Sequence, residues 1–277
     1  MKNLIWVTSY PKSGNTWMRY LLANYFYNQS GLFDPKIIKH IDRLKLPKNM
    51  SMFNDEGKIS INKISKNWIP AQEKLQSNQV KFIKNHGANL TINDNQFTNE
   101  ELTCGIILIV RDPRDVIISG LNYWNLDNYD EMIEKICDEE FLTIYQKEQP
   151  HKIEVIGSWK VNFLSWYSGL KKVPKIIIKY EDMIKNTEEQ LFRVLNFLSH
   201  LFNFEINKEK ILFSVENSNF KRLSEAESNG DFIEDVQKKG KFFRKGKIGQ
   251  YHAELNKFQI KKIEDAFHRE MRFLDYL

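Results

Sequence analysis

Four apolar runs along the chain predict buried β-strands. They lie near residues 3–8, 80–84, 104–110 and 174–179, and helical stretches separate them. This alternation predicts an α/β fold in which a parallel sheet is flanked by helices. Because no low-complexity linker or internal repeat interrupts the pattern, residues 1–277 are predicted to form a single domain.

Composition narrows the class of protein. The chain has two cysteines, too few for a disulfide scaffold, and no apolar stretch approaches the ~20 residues of a membrane span. The first predicted strand begins close to the first residue with no signal peptide before it, so we expect a soluble, cytoplasmic protein. A net charge of +5 suits a small polyanionic ligand but falls short of the dense basic surface of a nucleic-acid binder.

The segment Tyr10–Trp17, which reads Tyr-Pro-Lys-Ser-Gly-Asn-Thr-Trp, joins the first predicted strand to a helix predicted over residues 18–26. A tight loop at this place directs the N–H groups of the first helical turn at one point, where the helix dipole adds positive potential. Lys12 adds a full charge, and Ser13 and Thr16 add hydroxyl donors. The loop is therefore predicted to bind phosphate or sulfate; the alternative is an ordinary turn that contains Lys and Gly by chance.

The same loop departs from the Walker A motif, in which a Gly, four residues and then Gly-Lys-Ser/Thr follow one another. Here Lys12 precedes Gly14, and no upstream glycine shapes the turn. A P-loop small-molecule kinase remains an alternative, because the apolar run 106–110 followed by Asp112 resembles a Walker B strand and acid. Arg111, which occupies the end of that strand, argues against it.

The run Cys104–Val110 predicts a central strand buried on both faces, and Asp112 is a suitable N-cap for the helix that follows. Arg111 would then lie at the carboxyl edge of the sheet, where open α/β sheets bind ligands. Ser119 lies about two helical turns later and is predicted to face the same way. The alternative for Arg111 is an ion pair with Asp115 or another carboxylate.

Lys84 and His86 lie at the end of the second predicted strand. A histidine in such a place is usually a structural hydrogen-bonding group, but an imidazole beyond the sheet edge can also serve as a general base. The other histidines stand in no comparable context, and none pairs with cysteines or carboxylates at metal-ligand spacing, so no metal site is predicted. They are His40, His151, His200, His252 and His268.

Two further segments complete the set of motifs. The loop 244–249, which contains Arg-Lys-Gly and a second glycine, is either an anion-binding loop or a solvated basic turn. Tyr180 ends the fourth predicted strand and is either a ligand contact or a core aromatic. Glu181 and Asp182 are predicted to cap a helix that begins near Thr187 or earlier, and another helix is predicted over 159–170.

Together, and in the order in which they follow one another along the chain, these segments resemble the cytosolic-type sulfotransferases, enzymes that use 3′-phosphoadenosine 5′-phosphosulfate (PAPS) and leave 3′-phosphoadenosine 5′-phosphate (PAP). The resemblance extends from about Leu4 to Gly249. It departs from the family pattern at Asn85, where threonine is usual, and at Gly87 and Ala88, where Leu-Pro is usual.

The resemblance implies a P-loop-like, five-stranded parallel sheet and a set of residues around PAPS. Those for the 5′-phosphosulfate are Lys12, Ser13, Gly14, Asn15, Thr16 and Trp17. Those for the 3′-phosphate are Arg111, Ser119, Arg244, Lys245 and Gly246. Those near the adenine are Trp17, Tyr180, Ser218 and Phe220.

The resemblance also implies catalytic roles. His86 is the general base, Lys12 neutralises the leaving phosphate, and Lys84 reaches the transferring sulfonyl oxygens. Ser119 restrains Lys12 until the acceptor arrives. No metal is required, because lysines and backbone amides carry the anion. A non-catalytic nucleotide-binding module is a further alternative, against which the presence of both Lys84 and His86 argues.

Three segments outside the motifs are predicted to form the acceptor pocket and its lid: residues 32–75, 125–150 and 224–241. A histidine base favours a small-molecule hydroxyl acceptor over an amine. The aromatic residues that either line this pocket or belong to the core are Phe33, Phe53, Tyr123, Trp124, Phe141 and Phe242. Residues 252–258 do not match the dimerisation motif that the family carries after the basic loop, so the family's usual dimer is not predicted.

Overall fold

The computed structural model describes residues 2–47, 53–144, 153–232, 241–243 and 246–277. Arg244 and Lys245 of the predicted basic loop lie outside the described residues, and so do His151 and parts of all three predicted acceptor segments. In the described part of the chain, no helix is long and apolar enough to cross a membrane.

A parallel sheet forms the centre of the molecule. Its strands are β1 (Leu4–Ser9), β2 (Lys81–Asn85), β5 (Thr103–Val110) and β8 (Lys175–Lys179), in the order β2-β1-β5-β8. Two short antiparallel hairpins are formed by β3 (Thr91–Ile92) with β4 (Asn95–Gln96) and by β6 (Leu142–Ile144) with β7 (Ile153–Val155). The α/β class and the predicted strand positions are therefore confirmed, with shifts of one residue at most strand ends.

Helices flank the sheet on both faces. In chain order they are α1 (Asn15–Tyr27), a 3₁₀ helix (Ile37–His40), α2 (Ile61–Ser65), α3 (Trp68–Glu73), α4 (Pro113–Tyr123), α5 (Tyr129–Cys137), α6 (Trp159–Tyr167), α7 (Tyr180–Lys185), α8 (Thr187–Phe202), α9 (Lys208–Asn217), α10 (Phe220–Ser228), α11 (Tyr251–Glu254) and α12 (Lys257–Phe273).

Alternate residues of β1 face two separate apolar cores. Leu4 and Trp6 belong to the core that α4–α6 and α12 cover, whereas Ile5 and Val7 belong to the core that α1, α8 and α9 cover. This period of two, with both faces buried, is the pattern of a central parallel strand. It holds the carboxyl ends of β1, β2 and β5 at one rigid edge, where the predicted site residues begin.

Sequence expectations fail at three places in the fold. The resemblance implies a five-stranded sheet, but four strands hydrogen-bond together in the described part of the chain, and the segment after β8 is helical there. Helix α6 ends at Tyr167 instead of residue 170, where Leu170 has a positive φ of 49° that no helix allows. Lys175 Nζ donates to the Tyr167 and Gly169 carbonyls at 2.8 and 2.7 Å. The ammonium thus satisfies carbonyls at the helix end.

The third failure concerns Glu181 and Asp182. They lie in the first turn of α7 and do not cap it, and the side chain of Asn186 caps α8 instead. Glu181 accepts the N–H of Asp112 at 3.0 Å and the hydroxyl of Tyr276 at 2.9 Å, so it joins the end of β5 to the C-terminal segment. Burial raises the pKa of its carboxyl group, and these hydrogen bonds act in the opposite direction.

Candidate functional site

The loop between β1 and α1 has the backbone of an anion cradle. Lys12 and Gly14 both have positive φ, at 67° and 100°, which turns the chain sharply between the strand and the helix. No side chain caps the N-terminus of α1 in the described residues. The N–H groups of its first turn are therefore available to a ligand, and the helix dipole favours an anion at this point.

Gly14 is required here for two reasons, its positive φ and the closeness of the Tyr180 ring. A Cβ at this position would lie 2.6 Å from Cδ2 of Tyr180, closer than carbon atoms tolerate. We expect Gly14→Ala to destabilise the fold by about 1–3 kcal/mol, measured by denaturant unfolding. Gly31→Ala is the matched control, because Gly31 has φ of 69° and no atom within 4 Å of its added Cβ. Equal losses for the two variants would contradict the steric argument.

One pocket with about 1040 Å³ of empty space opens above this loop. It brings together residues from the β1–α1 loop, α1, β2, the segment after β5, α4, α7 and α10, which are far apart in the chain. The predicted site residues that line it are Lys12, Gly14, Asn15, Thr16, Trp17, Lys84, His86, Arg111, Ser119, Tyr180, Ser218, Phe220 and Gly246. Ser13 is fully buried beneath the loop and is not part of the lining. Its Oγ has no hydrogen-bond partner among the described residues.

The charged side chains in the described lining of this pocket are all cationic. Its lining contains the cationic side chains Lys12, Lys84 and Arg111, and the described lining residues include no aspartate or glutamate. Two further buried donors, Trp17 Nε1 and Arg111 Nε, have no hydrogen-bond partner in the described part of the chain. A pocket lined by cations and by buried donors with no hydrogen-bond partner fits an anionic ligand.

Arg111 is held in place by backbone carbonyls. Its Nη1 donates to the Lys12 carbonyl at 3.0 Å, and its Nη2 donates to the Lys247 carbonyl at 3.2 Å. The guanidinium lies 4.3 Å from the centre of the Tyr180 ring. The alternative ion pair with Asp115 is marginal, because its two atoms are 4.0 Å apart.

Asp115 has a different task that sequence reasoning missed. Its carboxylate accepts the N–H of Gly249 at 2.7 Å and that of Tyr251 at 3.2 Å, which fastens the end of loop 246–251 to α4. The missed signal was an aspartate one turn after the arginine that the resemblance places at the 3′-phosphate, together with a later loop that contains two glycines. Asp115 therefore positions the loop on which Gly246 lies.

Lys12 and His86 face the other end of the pocket. The ammonium of Lys12 lies 3.8 Å from the ring centre of Phe242 and 4.6 Å from that of Tyr123. His86 is buried, and its Nδ1 lies 3.0 Å from the carbonyl oxygen of Ser9 and 3.3 Å from the Ser9 hydroxyl. A carbonyl oxygen accepts only, so Nδ1 carries the proton of the neutral ring and Nε2 carries the lone pair. This is the tautomer that a general base requires.

The aromatic side of the pocket is formed by residues from three helices. Trp17 and Tyr180 meet edge to face with ring centres 6.0 Å apart. Phe220 lies against Gly246, where an added Cβ would be 2.8 Å from its Cδ2. Burial raises the pKa of Tyr180, and the Arg111 charge offsets part of that rise, so the phenol stays protonated at neutral pH. The Ser218 hydroxyl accepts from Asn24 at 3.2 Å.

Only two of the six predicted acceptor aromatics line this pocket, Tyr123 and Phe242. Phe33 lines a separate surface groove, because the segment before the 3₁₀ helix runs along α10 on its outer side. Trp124 and Phe141 pack against each other at 5.5 Å in the core, and Phe53 is exposed. Phe243 and Gln250 also line the pocket and had been missed, although they flank the basic loop.

Burial raises the pKa of the Cys104 thiol to about 11 and also raises that of Cys137, so neither is a ready nucleophile.

Within the described residues, no group of three or more His, Cys, Asp or Glu side chains is placed to hold a metal ion. A metal-free reaction stays a prediction.

Known proteins are similar to this chain in sequence and in fold. Residues 2–275 match the family model of the sulfotransferase domain. The amine sulfotransferase of Oryctolagus cuniculus is 21% identical over 97% of this chain and 80% of its own length. The fold is similar to that of mouse sulfotransferase SULT7A1 complexed with PAP, with a TM-score of 0.61, 20% identity, and coverage of 99% of this chain and 85% of the other. It is also similar to retinol dehydratase in complex with retinol and PAP, with a TM-score of 0.65, 16% identity, and coverage of 98% and 82%.

Proposed function

The chain belongs to the sulfotransferase domain family, and from that premise we propose that it transfers a sulfuryl group from PAPS to a hydroxyl group of a small-molecule acceptor, with His86 as general base. The observation that carries the proposal is the composition of the pocket. Three cationic side chains, the open N-terminus of α1 and a histidine in the tautomer of a base line one pocket, and its described lining contains no carboxylate.

The residues present fit PAPS at both of its ends. Lys12, the hydroxyl of Thr16 and the N–H groups of the first turn of α1 would hold the 5′-phosphosulfate. Arg111 and Ser119 would hold the 3′-phosphate, together with Gly246 and with Arg244 and Lys245, which lie outside the described residues. The unpartnered Nε of Arg111 supports this assignment, because a phosphate oxygen would satisfy it.

Trp17, Tyr180 and Phe220 would enclose the adenine. Ser218 lines the same part of the pocket, and its bond from Asn24 orients its hydroxyl.

Transfer forms a bond between sulfur and the acceptor oxygen and breaks the bond between sulfur and the phosphate oxygen of PAPS. His86 Nε2 accepts the proton that the acceptor hydroxyl loses. Lys12 and the loop N–H groups stabilise the negative charge that develops on the leaving phosphate. Lys84, buried at the end of β2, would neutralise the sulfonyl oxygens, and Ser119 would restrain Lys12 before the acceptor is in place.

The kinase alternative loses support at Asp112. Its carboxylate accepts the N–H of Arg114 at 2.9 Å as the N-cap of α4 and pairs with the Arg114 guanidinium at 2.7 Å. It is thus engaged within α4, and the described lining of the pocket offers no other carboxylate to hold a nucleotide-bound Mg²⁺.

Acceptor-dependent release of PAP tests the proposed function. The protein is incubated with PAPS and a panel of phenols, alcohols and amines, with either Mg²⁺ or EDTA, and PAP is quantified by chromatography. We expect PAP only when a hydroxyl acceptor is present, at equal rates with and without Mg²⁺. Binding of PAP without turnover of any acceptor would favour the non-catalytic module, and Mg²⁺-dependent consumption of ATP would favour the kinase.

Arg111→Ala is expected to weaken PAP binding by roughly 1.5–3 kcal/mol, because it removes a charge-assisted contact to the 3′-phosphate. Calorimetry with adenosine 5′-phosphate, which lacks the 3′-phosphate, should show a much smaller loss. Arg222→Ala is the control, since Arg222 pairs with Glu216 at 2.7 Å outside the pocket. Equal losses for the two nucleotides would remove Arg111 from the 3′-phosphate site.

A further inference from the structure

Glu227, near the end of α10, holds two consecutive backbone amides of a neighbouring segment. Its Oε1 accepts the N–H of Phe242, and its Oε2 accepts the N–H of Phe243 at 2.9 Å. A third bond joins the same elements, from Lys241 Nζ to the Ser228 hydroxyl at 3.1 Å. A carboxylate that accepts two amide hydrogens forms charge-assisted hydrogen bonds, which are stronger than neutral ones.

The segment that Glu227 holds reaches the catalytic end of the pocket. The ring of Phe242 lies 3.8 Å from Lys12 Nζ, and the ring of Tyr123 is also close to that ammonium, at 4.6 Å. Phe242 and Phe243 meet edge to face at 5.1 Å, and both line the pocket. The two amide bonds therefore fix an aromatic face against the lysine that the proposed reaction needs.

The same helix also reaches the nucleotide end of the pocket. Phe220, the first residue of α10, contacts Gly246 and lies 6.2 Å from the ring of Phe243. Glu227 follows about two helical turns later, so both side chains project from one side of the helix. Helix α10 thus connects Phe220, the proposed adenine contact, through Glu227 to Phe242, whose ring lies against Lys12.

We propose that Glu227 is a positioning residue for sulfuryl transfer, acting through Phe242 on Lys12 and on the acceptor; this rests on the proposed function of the pocket. Glu227 is not among the described residues that line the pocket. Its carboxylate holds Phe242 in the place where the ring faces the Lys12 ammonium and forms one wall of the acceptor's entrance. Removal of the carboxylate frees Phe242, so the acceptor loses a preordered wall while the nucleotide contacts remain.

Hydrogen exchange of the Phe242 and Phe243 amides tests the anchoring in the unliganded protein. In Glu227→Ala, both amides should exchange roughly 10- to 100-fold faster than in the unmodified protein, the factor expected for loss of a hydrogen bond to a charged group. Glu227→Gln keeps the shape of the side chain but only one acceptor oxygen, so one of the two amides should stay protected. Glu225→Ala, an exposed carboxylate on the same helix and away from the pocket, is the control. Unchanged exchange in Glu227→Ala would overturn the inference.

Kinetics test the action through Phe242. Glu227→Ala should raise the acceptor KM by about tenfold with PAP affinity within a few-fold of the unmodified protein, and Phe242→Ala should do the same. Adding Glu227→Ala to Phe242→Ala should then cause little further loss, because Glu227 is proposed to act only through the position of the Phe242 ring, which Phe242→Ala has already removed. Fully additive effects would show that Glu227 acts elsewhere and would overturn the inference. The exchange experiment needs neither PAPS nor acceptor, so absence of turnover would contradict the proposed function alone.

Discussion

Replacement of His86 by alanine is expected to lower kcat for a hydroxyl acceptor by about 10²–10⁴, the range that a general base contributes. The Nδ1–H of His86 donates to the Ser9 carbonyl at 3.0 Å, which places the basic lone pair on Nε2. The imidazole also lines the pocket that holds Lys12 and Lys84. Because the base acts on the acceptor, PAP affinity measured by calorimetry should stay within a few-fold.

Acceptor acidity provides the sharper test of this role. A phenol of low pKa needs less help to lose its proton, so the loss in His86→Ala should shrink across a series of increasingly acidic phenols. His86→Asn keeps a donor for the Ser9 carbonyl but lacks Nε2, which separates loss of the base from loss of packing. His268→Ala, on the exposed side of α12, is the control. A His86 variant that keeps most of its activity across the series would place the base elsewhere.

Lys12→Ala is expected to lower kcat by about 10²–10³, because it removes a preorganised cation from the leaving phosphate. The backbone should tolerate the change, since alanine and lysine carry the same Cβ at the φ of 67°. The aromatic rings of Tyr123 and Phe242 hold the ammonium in place, so its position is set before PAPS binds. Initial rates of PAP release at saturating acceptor measure the effect.

The control for Lys12→Ala is Lys171→Ala, which removes an exposed lysine from the turn between α6 and β8 and should leave kcat unchanged. Lys12→Arg keeps the charge but moves it, so it should recover only part of the rate. Retention of more than about a tenth of kcat in Lys12→Ala would contradict its assignment to the leaving phosphate.

Local sequence signals predicted much of the fold and most of the residues that line the pocket. The apolar runs predicted the two central strands β1 and β5, in which burial on both faces leaves a continuous apolar pattern, and the two edge strands β2 and β8. Asp112 caps α4 as predicted, and the Tyr10–Trp17 loop joins β1 to α1. Each of these features depends on residues that are adjacent in the chain, so the local sequence is enough to predict it.

The acceptor end was much less predictable. Of the aromatic residues expected there, the tertiary structure placed Phe33 in another groove and Trp124 and Phe141 in the core. An aromatic side chain in an irregular segment can bury its apolar surface equally well in a core or in a pocket. Which of the two it does depends on packing partners that its neighbours in the sequence do not reveal.

By itself, the sequence determined the α/β class, the tight loop between β1 and α1 and the identities of the charged residues, because each arises from hydrophobic periodicity or from a short motif. Only the tertiary structure decided which hydrogen bonds those residues make. The Ser9 carbonyl that sets the tautomer of His86 lies 77 residues away in the chain, and the Gly249 amide that engages Asp115 lies 134 residues away. Such contacts exist only after β1, β2 and β5 pair, because strand pairing brings their carboxyl ends to the same edge of the sheet.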